Sequence, residues 1–368
     1  MSYFIVLKKR NLYLLAAVIL FIGSALFIKT TSVFSNIIDE DAVKIVEDIF
    51  KTRSQAILTN DYEKIKSFYD EDSKYSTWAY EQEEKKVRYI NNWSEKQGVI
   101  FTEITPQIKI RSMKKNGTSI SLYLTCSTEY KYCYENDRKA INSFRIGTYH
   151  TFTMTQREDQ WIITKEWYTD PFADSLNLDN IKYLDAKEYI TSQAARDFSN
   201  LTERRVATLD YIKKYCGAAS EPQYNFSYNK KYRDYNPQGG DCANFASQAL
   251  FEGGKFKKTS SWNYDKSGAT KAWLNAQGFS DYLLYSGRGA LIKKGTYDQI
   301  YKSAYKLIPG DIVAYEKDGK ITHVSVVSGA DSKGYTLVSC HNTDRNNVPW
   351  DLGWSNKNIK FWFIHLNY

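Results

Sequence analysis

Residues 236–254 (NPQGGDCANFASQALFEGG) constrain the local fold more than any other part of the chain. The first half is rich in glycine and predicts a loop, and the second half carries small and apolar residues at helical spacing. Asp241 stands at a favourable N-cap position, so Cys242 falls in the first helical turn. Gly253 and Gly254 end the helix. The segment therefore predicts a loop that delivers a cysteine to a helix N-terminus.

A cysteine at this position has two interpretations. A helix N-terminus presents unpaired N–H groups and a partial positive charge, and both favour a thiolate over a thiol. The same N–H groups can bind an oxyanion that develops on a substrate carbonyl. A free cysteine that packs inertly at a helix start fits the segment equally well. The segment by itself leaves both a nucleophile and a structural thiol open.

The C-terminal third of the chain predicts an antiparallel sheet that carries histidine. Residues 309–315 (PGDIVAY) are typical of a turn that enters a strand, and 317–320 (KDGK) of a hairpin turn. The returning strand is 323–329 (HVSVVSG), with His323 near its start, and a further strand covers 335–342 (YTLVSCHN). A helix with a cysteine followed by a sheet with a histidine is the arrangement that a nucleophile and its base require.

A third polar group is needed to orient the second nitrogen of His323. His341 and Asn342 lie on opposite faces of the last predicted strand, because side chains alternate along a strand. Only one of the two can therefore point at His323. Asp344, just past that strand, is a third candidate.

These motifs, in this order, give residues 200–368 a resemblance to the bacterial putative amidase domain family, a papain-like relative of the NlpC-type and CHAP cell-wall peptidases. The resemblance rests on an early helix at 205–215 and on five motifs: GGDCANFASQ at 239–248, WLNA at 273–276, GDIVAY at 310–315, HVSVV at 323–327 and SCHNTD at 339–344. It implies a papain-like α+β domain over about residues 186–368. It also implies Cys242 as nucleophile, His323 as base and His341 as the orienting residue. Ala243 and Ala246 depart from the residues that the family more often carries, Thr and Val, and neither change affects the chemistry.

The same resemblance bears on the oxyanion hole. We expect the backbone N–H of Cys242 to bind the oxyanion, assisted by an upstream side chain, Asn236 or Gln238. Asp241 is a further candidate for a supporting role. Capping of the loop is the alternative role for these side chains. Three tryptophans either line a cleft or belong to the core: Trp262, Trp273 and Trp350.

Residues 39–170 predict a separate small α+β domain. Helical periodicity around residues 39–97 gives way to segments rich in β-branched and aromatic residues at 99–110, 118–132, 144–156 and 160–167. Helices followed by an antiparallel sheet are similar to a cone-shaped, nuclear-transport-factor-like fold. His150 is the single histidine there, and a structural role is the expected one. Residues 171–185 predict a linker, and a helix is expected over 186–198.

The N-terminus predicts export. Lys8, Lys9 and Arg10 precede a neutral, mostly apolar run at residues 12–28, about 17 residues, long enough for a short membrane span. We expect a cytoplasmic tail at 1–10 and an uncleaved anchor at 11–29, with everything beyond it outside the cytoplasm; a cleaved signal peptide gives the same location.

The remaining composition excludes two classes of site. Five cysteines without a C-x-x-C pair predict neither a disulfide framework nor a structural zinc site. The net charge of +8 fits either a solubility surplus or an attraction to anionic partners.

The sequence thus predicts an exported, membrane-anchored cysteine amidase or peptidase that acts on a peptide or amide substrate such as peptidoglycan. We expect membrane contact through the N-terminal helix, no cofactor and no nucleic-acid partner. The alternatives are a non-catalytic binding or scaffold protein with a degenerate hydrolase domain, a metal site at Cys242, His323 and His341, and an acyl transferase.

Overall fold

A computed structural model describes residues 40–158, 160–169, 172, 183–354 and 359–368. It is a mixed α+β structure with an antiparallel sheet, as expected. The α-helices are α1 (Glu40–Thr59), α2 (Glu63–Lys66), α3 (Lys74–Gln97), α4 (Tyr183–Thr191), α5 (Glu203–Tyr215), α6 (Cys242–Gln248), α7 (Lys271–Leu274), α8 (Ala276–Tyr285) and α9 (Tyr297–Ile300). The strands are β1 (Val99–Asn116), β2 (Ser119–Tyr134), β3 (Asp137–Arg157), β4 (Gln160–Tyr168), β5 (Tyr264–Asp265), β6 (Gly268–Ala269), β7 (Gly289–Gly295), β8 (Ile312–Lys317), β9 (Lys320–Ala330), β10 (Thr336–Cys340), β11 (Asp344–Pro349) and β12 (Ile359–Leu366).

The predicted membrane anchor at 11–29 and most of the predicted linker lie outside the described residues. Within the part of the chain that the structure describes, no helix is long and apolar enough to cross a membrane.

The first helices follow the predicted apolar stripes. Val46, Ile49 and Phe50 of α1 are buried, and each fully buried side chain of this kind contributes roughly 1.5–3 kcal/mol relative to exposure. Helix α3 ends at Gly98, whose left-handed φ of 72° lets the chain turn into β1. The change from helical to alternating periodicity in the sequence falls at this glycine.

Two predicted helical segments are shorter than expected. Within the helical periodicity around residues 39–97, α2 ends at Lys66, and Tyr69 forms a parallel bridge with Ile163 instead of continuing the helix. The helix predicted over residues 186–198 ends at Thr191. Beyond it, residues 193–198 form no regular secondary structure, and the Arg196 guanidinium binds the carbonyl oxygen of Leu307.

One ten-stranded sheet runs through both halves of the molecule, in the order β1-β2-β3-β11-β10-β9-β8-β12-β7, with β4 paired to β3. The long strand β3 makes the junction: Gly147 pairs with Asp344 of β11, and further along the strand His150 pairs with Tyr168 of β4. The first and second halves of the chain therefore share one continuous sheet.

The junction depends on a close approach at Gly147. A Cβ atom added there would lie 2.3 Å from the Cβ of Ala218 and 2.4 Å from its carbonyl carbon. We expect Gly147→Ala to lower the free energy of unfolding by about 1–3 kcal/mol, because backbone has to move. Gly329→Ala is the matched strand control, since no atom lies within 4 Å of a Cβ at that position. Urea unfolding measures both, and equal stabilities of the two variants would contradict the tight junction.

Buried charges also join the two halves. The Lys96 ammonium of α3 pairs with Asp351, which also accepts hydrogen bonds from Trp93 Nε1 at 3.2 Å and Tyr335 Oη at 2.8 Å. These contacts hold α3 against the segment that follows β11.

Alternation along the central strands gives the sheet two distinct packing faces. Val313, Tyr315 and Val327 belong to the core that also contains α1 and α3. Val324 and Val326, on the opposite face, pack with α6 and α8. Helix α6, with Cys242 at its start, therefore lies on the face that points away from α1 and α3.

Candidate active site

Cys242 begins helix α6, as the sequence predicts, and is 5% exposed. The backbone N–H groups of Val324 and Ala243 lie near its sulfur and act to lower the pKa of the thiol. Val324 directly follows His323 on β9. The fold thus brings the thiol against the backbone of the strand that carries the predicted base.

The Cys242 thiol is neutral in this structure. Burial raises its pKa to about 12, and the two N–H donors, which act in the opposite direction, are too weak to offset the loss of solvent. The N–H groups at the helix start thus favour the thiolate, as expected, but they do not overcome burial in this state. Desolvation is the larger effect here.

Asp241 occupies the N-cap position but makes no capping bond with its side chain. Its carboxylate instead accepts hydrogen bonds from Tyr235 N at 2.9 Å and Asn244 Nδ2 at 2.8 Å, and it pairs with His341 Nδ1 at 2.6 Å. The residue before the cysteine therefore ties the preceding loop, helix α6 and the end of β10 together.

His323 lies on β9 opposite Tyr315 of β8 and is 3% exposed. Its ring stacks on Trp354 at 5.1 Å between centroids, and Nε2 is 3.4 Å from Ser325 Oγ. Burial, assisted by the positive charge of Arg345, lowers the pKa of the ring to about 3, so the imidazole is neutral. No hydrogen bond joins this ring to the Cys242 thiol among the contacts of the described residues.

His341 does not orient His323 in this structure. Its Nδ1 binds Asp241, and its Nε2 binds the carbonyl oxygen of Tyr215 at 2.7 Å. The ring is stacked between Tyr228 at 3.8 Å and Phe245 at 4.0 Å. Both nitrogens face acceptors, so the ring is held as an imidazolium.

The pKa of His341 has opposing contributions. Burial alone would lower it, but the hydrogen bond and negative charge of Asp241 raise it above the ordinary value. Since both side chains are 1% exposed, this is a fully buried ion pair. Asp241, the acidic member of this pair, directly precedes Cys242 in the sequence.

The other two candidates for the third catalytic position also lie away from His323. Asp344 is buried and accepts hydrogen bonds from Tyr228 Oη at 2.6 Å, Ala218 N at 2.7 Å and Tyr149 Oη at 2.8 Å. Burial raises the pKa of Asp344. Asn342 has a left-handed φ of 71°, and its side chain lies against Gly240. The structure brings neither residue to the imidazole of His323.

Sequence reasoning missed Tyr228, which connects this network. Its hydroxyl donates to Asp344 and accepts from Asn236 Nδ2 at 2.9 Å, while its ring stacks on His341. Residue 228 lies in an irregular segment without a motif, so no local signal could have identified it.

The two upstream candidates for the oxyanion hole lie in the loop outside the thiol. Asn236 and Gln238 form a single 3-10 turn, followed by Gly239 and Gly240 with φ values of 110° and 138°. Asn236 and Asn342 line an open cleft of about 430 Å³, and Gln238 is exposed. In the described structure Asn236 is held by Tyr228 and does not reach the sulfur.

Other predicted roles are structural. Trp262, Trp273 and Trp350 are at most 1% exposed, so they belong to the core. The five cysteines are free and buried. In the described residues no group of three or more His, Cys, Asp or Glu side chains is arranged to hold a metal ion.

His150 is engaged at both ring nitrogens, with Nδ1 2.8 Å from Glu166 and Nε2 2.8 Å from Thr148 Oγ1. Arg53 in turn binds Glu166 Oε1 at 2.9 Å. Burial lowers the pKa of His150, so the neutral ring bridges a carboxylate and a hydroxyl. These contacts support the expected structural role.

Comparison with known proteins bears on the same part of the chain. Residues 202–364 match the family model described as "Putative amidase domain". This match supports the resemblance found in the motifs and indicates a hydrolase-type domain. The papain-like relationship is a separate prediction that the match does not address.

A curated relative is the "Uncharacterized protein YhbB" of Bacillus subtilis strain 168, 29% identical over 156 residues. The match covers 38% of this chain and 46% of the relative, so the chain spans less than half of that protein's length.

Two solved structures are similar to parts of the chain. One is the crystal structure of a "Putative Scytalone Dehydratase" from Novosphingobium aromaticivorans DSM 12444, with 13% identity, 35% of this chain and 85% of that chain covered, and a TM-score of 0.25. The other is a "Putative NTF2-like transpeptidase" from Campylobacter jejuni, with 15% identity, 32% and 94% covered, and a TM-score of 0.18. TM-scores this low carry no argument, and the nuclear-transport-factor-like fold stays a prediction.

Proposed function

We propose that the chain is an amide-bond hydrolase that uses Cys242 as nucleophile and His323 as base. The observation that carries the proposal is the position of Cys242: it begins α6 and packs in one core cluster with Val324, the residue after His323. This contact lies inside the segment that matches the amidase family.

The proposed reaction has two halves. The thiol proton passes to the His323 imidazole while sulfur attacks the amide carbon, and the N–H groups at the start of α6 bind the oxyanion. The amine departs with the proton from the imidazolium and leaves a thioester on Cys242. Water that His323 deprotonates then cleaves the thioester, which releases the acid and regenerates the thiol.

The resting structure requires a rearrangement before this reaction. Burial disfavours a thiolate and an imidazolium alike, and the His323 ring rests on Trp354 and beside Ser325. We infer that substrate entry turns this ring toward the sulfur and replaces the apolar surroundings by polar amide groups. Catalytic hydrogen bonds often tighten only in the substrate complex.

We further propose a cell-wall peptide, or a similar extracytoplasmic amide, as the substrate. This follows from the export expected of residues 1–29 and from the resemblance to cell-wall peptidases. A membrane-anchored location is part of the same proposal.

The alternative is a binding protein with an inactive hydrolase domain. The buried neutral thiol and the absence of a thiol–imidazole hydrogen bond among the described contacts favour it. It differs from the hydrolase in one respect that can be measured: it forms no thioester.

Acid quenching of the full chain during turnover tests the proposal. The chain is mixed with soluble muropeptides or an N-acetylated peptide anilide, and the protein is digested and examined by mass spectrometry. We expect an acyl adduct on the peptide that contains Cys242, removed by hydroxylamine and absent from Cys242→Ala. Hydrolysis without this adduct, with unchanged rates in Cys242→Ala, would show that another group carries the reaction.

A further inference from the structure

A row of exposed side chains crosses three neighbouring strands. Tyr123 of β2 pairs with Thr151 of β3, and Thr151 pairs with Trp167 of β4, so all three project from one face. Tyr123 is 44% exposed and Trp167 is 63% exposed. Exposed aromatic side chains that lie side by side on a sheet face are a candidate interaction surface.

Two clefts meet at Trp167. The first has a volume of about 620 Å³ and is lined by Trp167 together with Tyr75 and Trp78 of α3. The second has a volume of about 430 Å³ and is lined by Trp167, Tyr123, Asn236 and Asn342, among others. Both volumes lie in the range of small-molecule sites. Because one indole is a wall of both clefts, the two clefts are neighbours, and together they are termed the path.

This path leads to the candidate active site. Tyr149 of β3 lies on the same sheet face as Thr151 and donates a hydrogen bond to Asp344 of β11. At the far end, the side chain of Asn342 lies against Gly240, two residues before Cys242. The continuous sheet therefore joins the aromatic row to the loop outside the thiol.

The chemistry of the walls restricts the occupant. Aromatic faces alternate with hydroxyl and amide groups: Thr151 in the first cleft, and Asn236, Asn342 and Thr343 in the second. Such walls suit a ligand with apolar faces and a polar rim.

The charges in the two clefts further restrict the class of ligand that they can bind. Of the described residues that line the second cleft, Asp234 alone carries a charge, and it is negative. In the first cleft, the Lys165 ammonium lies 5.3 Å from the centre of the Tyr75 ring, and Glu166 is bound to Arg53. A polyanion would meet the ammonium groups of Lys165 and Lys74 at the first cleft, the latter 4.5 Å from the centre of the Trp78 ring, but only the negative Asp234 along the second. A bilayer would contact raised side chains and not the walls of a concave path.

We propose that the two clefts form one track that binds a linear, neutral glycan, with a sugar ring packed on the exposed indole of Trp167. Hexose rings have apolar C–H faces and a rim of hydroxyl groups, which matches the alternation of the walls. The direction of the glycan toward Cys242 rests on the proposed function, whereas glycan binding itself does not.

Isothermal titration with β-1,4-linked N-acetylglucosamine hexamer tests the track, using the full chain with Cys242→Ala to prevent turnover. We expect saturable binding that is tighter for the hexamer than for the dimer, and at least tenfold weaker with Trp167→Ala. Tyr285→Ala is the matched control, because Tyr285 is 89% exposed and lines neither cleft. Its affinity should equal that of the parent.

Three results would overturn the glycan track. They are absence of saturable binding in a folded protein, equal affinity for Trp167→Ala and its parent, and Trp167-dependent binding to heparin or phosphatidylglycerol vesicles without binding to the hexamer. Thioester formation separates the two proposals. Glycan binding without a thioester contradicts the hydrolase alone, and a thioester without Trp167-dependent glycan binding contradicts the track alone.

Discussion

Replacing Cys242 by alanine is expected to lower kcat for amide hydrolysis by about 10⁴-fold or more, which is the scale seen when the nucleophile of a covalent hydrolase is removed. The reason is that the proposed reaction depends on one sulfur, the one that forms the thioester. The measurement is steady-state hydrolysis of a muropeptide or anilide substrate by the full chain.

His323→Gln should reduce kcat to a comparable extent, because residues that act as one unit show strongly non-additive losses. The double variant Cys242→Ala with His323→Gln should then be no slower than the slower single variant. Losses that add independently would mean that the two side chains do not act in one step.

Cys126→Ala provides the matched control for the thiol. Cys126 is also free and is 2% exposed, but it lies on β2 in the first half of the chain. Its replacement should leave kcat within about twofold of the parent, since surface and core changes away from a site act on stability instead. An equal loss of activity in this variant would indicate a folding defect and not a lost nucleophile.

Local patterns predicted the elements around the site well. The Lys317–Lys320 turn is confirmed, with Asp318 and Gly319 at φ values of 50° and 77°, as a tight hairpin requires. Thr202 caps α5 by accepting a hydrogen bond from Arg205 N, a role that its place just before the predicted helix at 205–215 favours. Such features depend on neighbouring residues, so a short window of sequence contains the necessary information.

The pairing of strands that are distant in the sequence could not be predicted from the sequence. The pairing of Gly147 with Asp344 joins segments almost 200 residues apart, and nothing in either segment specifies the other. The continuous sheet, and with it the aromatic row beside the site, therefore became visible only in the structure.

The pKa shifts and the ion-pair partners also could not be predicted from the sequence, because they depend on burial. The helix N-terminus argument correctly identified an interaction at Cys242 but omitted desolvation, which dominates its pKa. In the same way, His341 was expected to serve His323, yet the buried carboxylate of Asp241 lies nearer and takes its Nδ1. Which of two possible partners a side chain binds depends on how the folded chain packs, and the spacing of residues along the sequence does not reveal this packing.

The Asp241–His341 pair leads to the second large effect. Asp241→Asn should lower the free energy of unfolding by about 3–5 kcal/mol, the usual cost of removing one member of a buried pair. Asparagine keeps the size and can still accept from Tyr235 N, so the loss reports mainly the charge. Asp48→Asn, on the exposed face of α1, is the control and should leave stability unchanged.

The pH dependence of stability distinguishes the lost charge from a general packing defect. The folded-state pKa of His341 is raised above its ordinary value of 6.5, so the stabilisation is fully present below pH 6.5 and is lost as pH rises through the raised pKa. Urea unfolding at pH 5.5 and 8.5 should therefore show Asp241→Asn differing from the parent most at the lower pH. A difference that is equal at both pH values, or larger at pH 8.5, would mean that His341 is not held as an imidazolium beside Cys242.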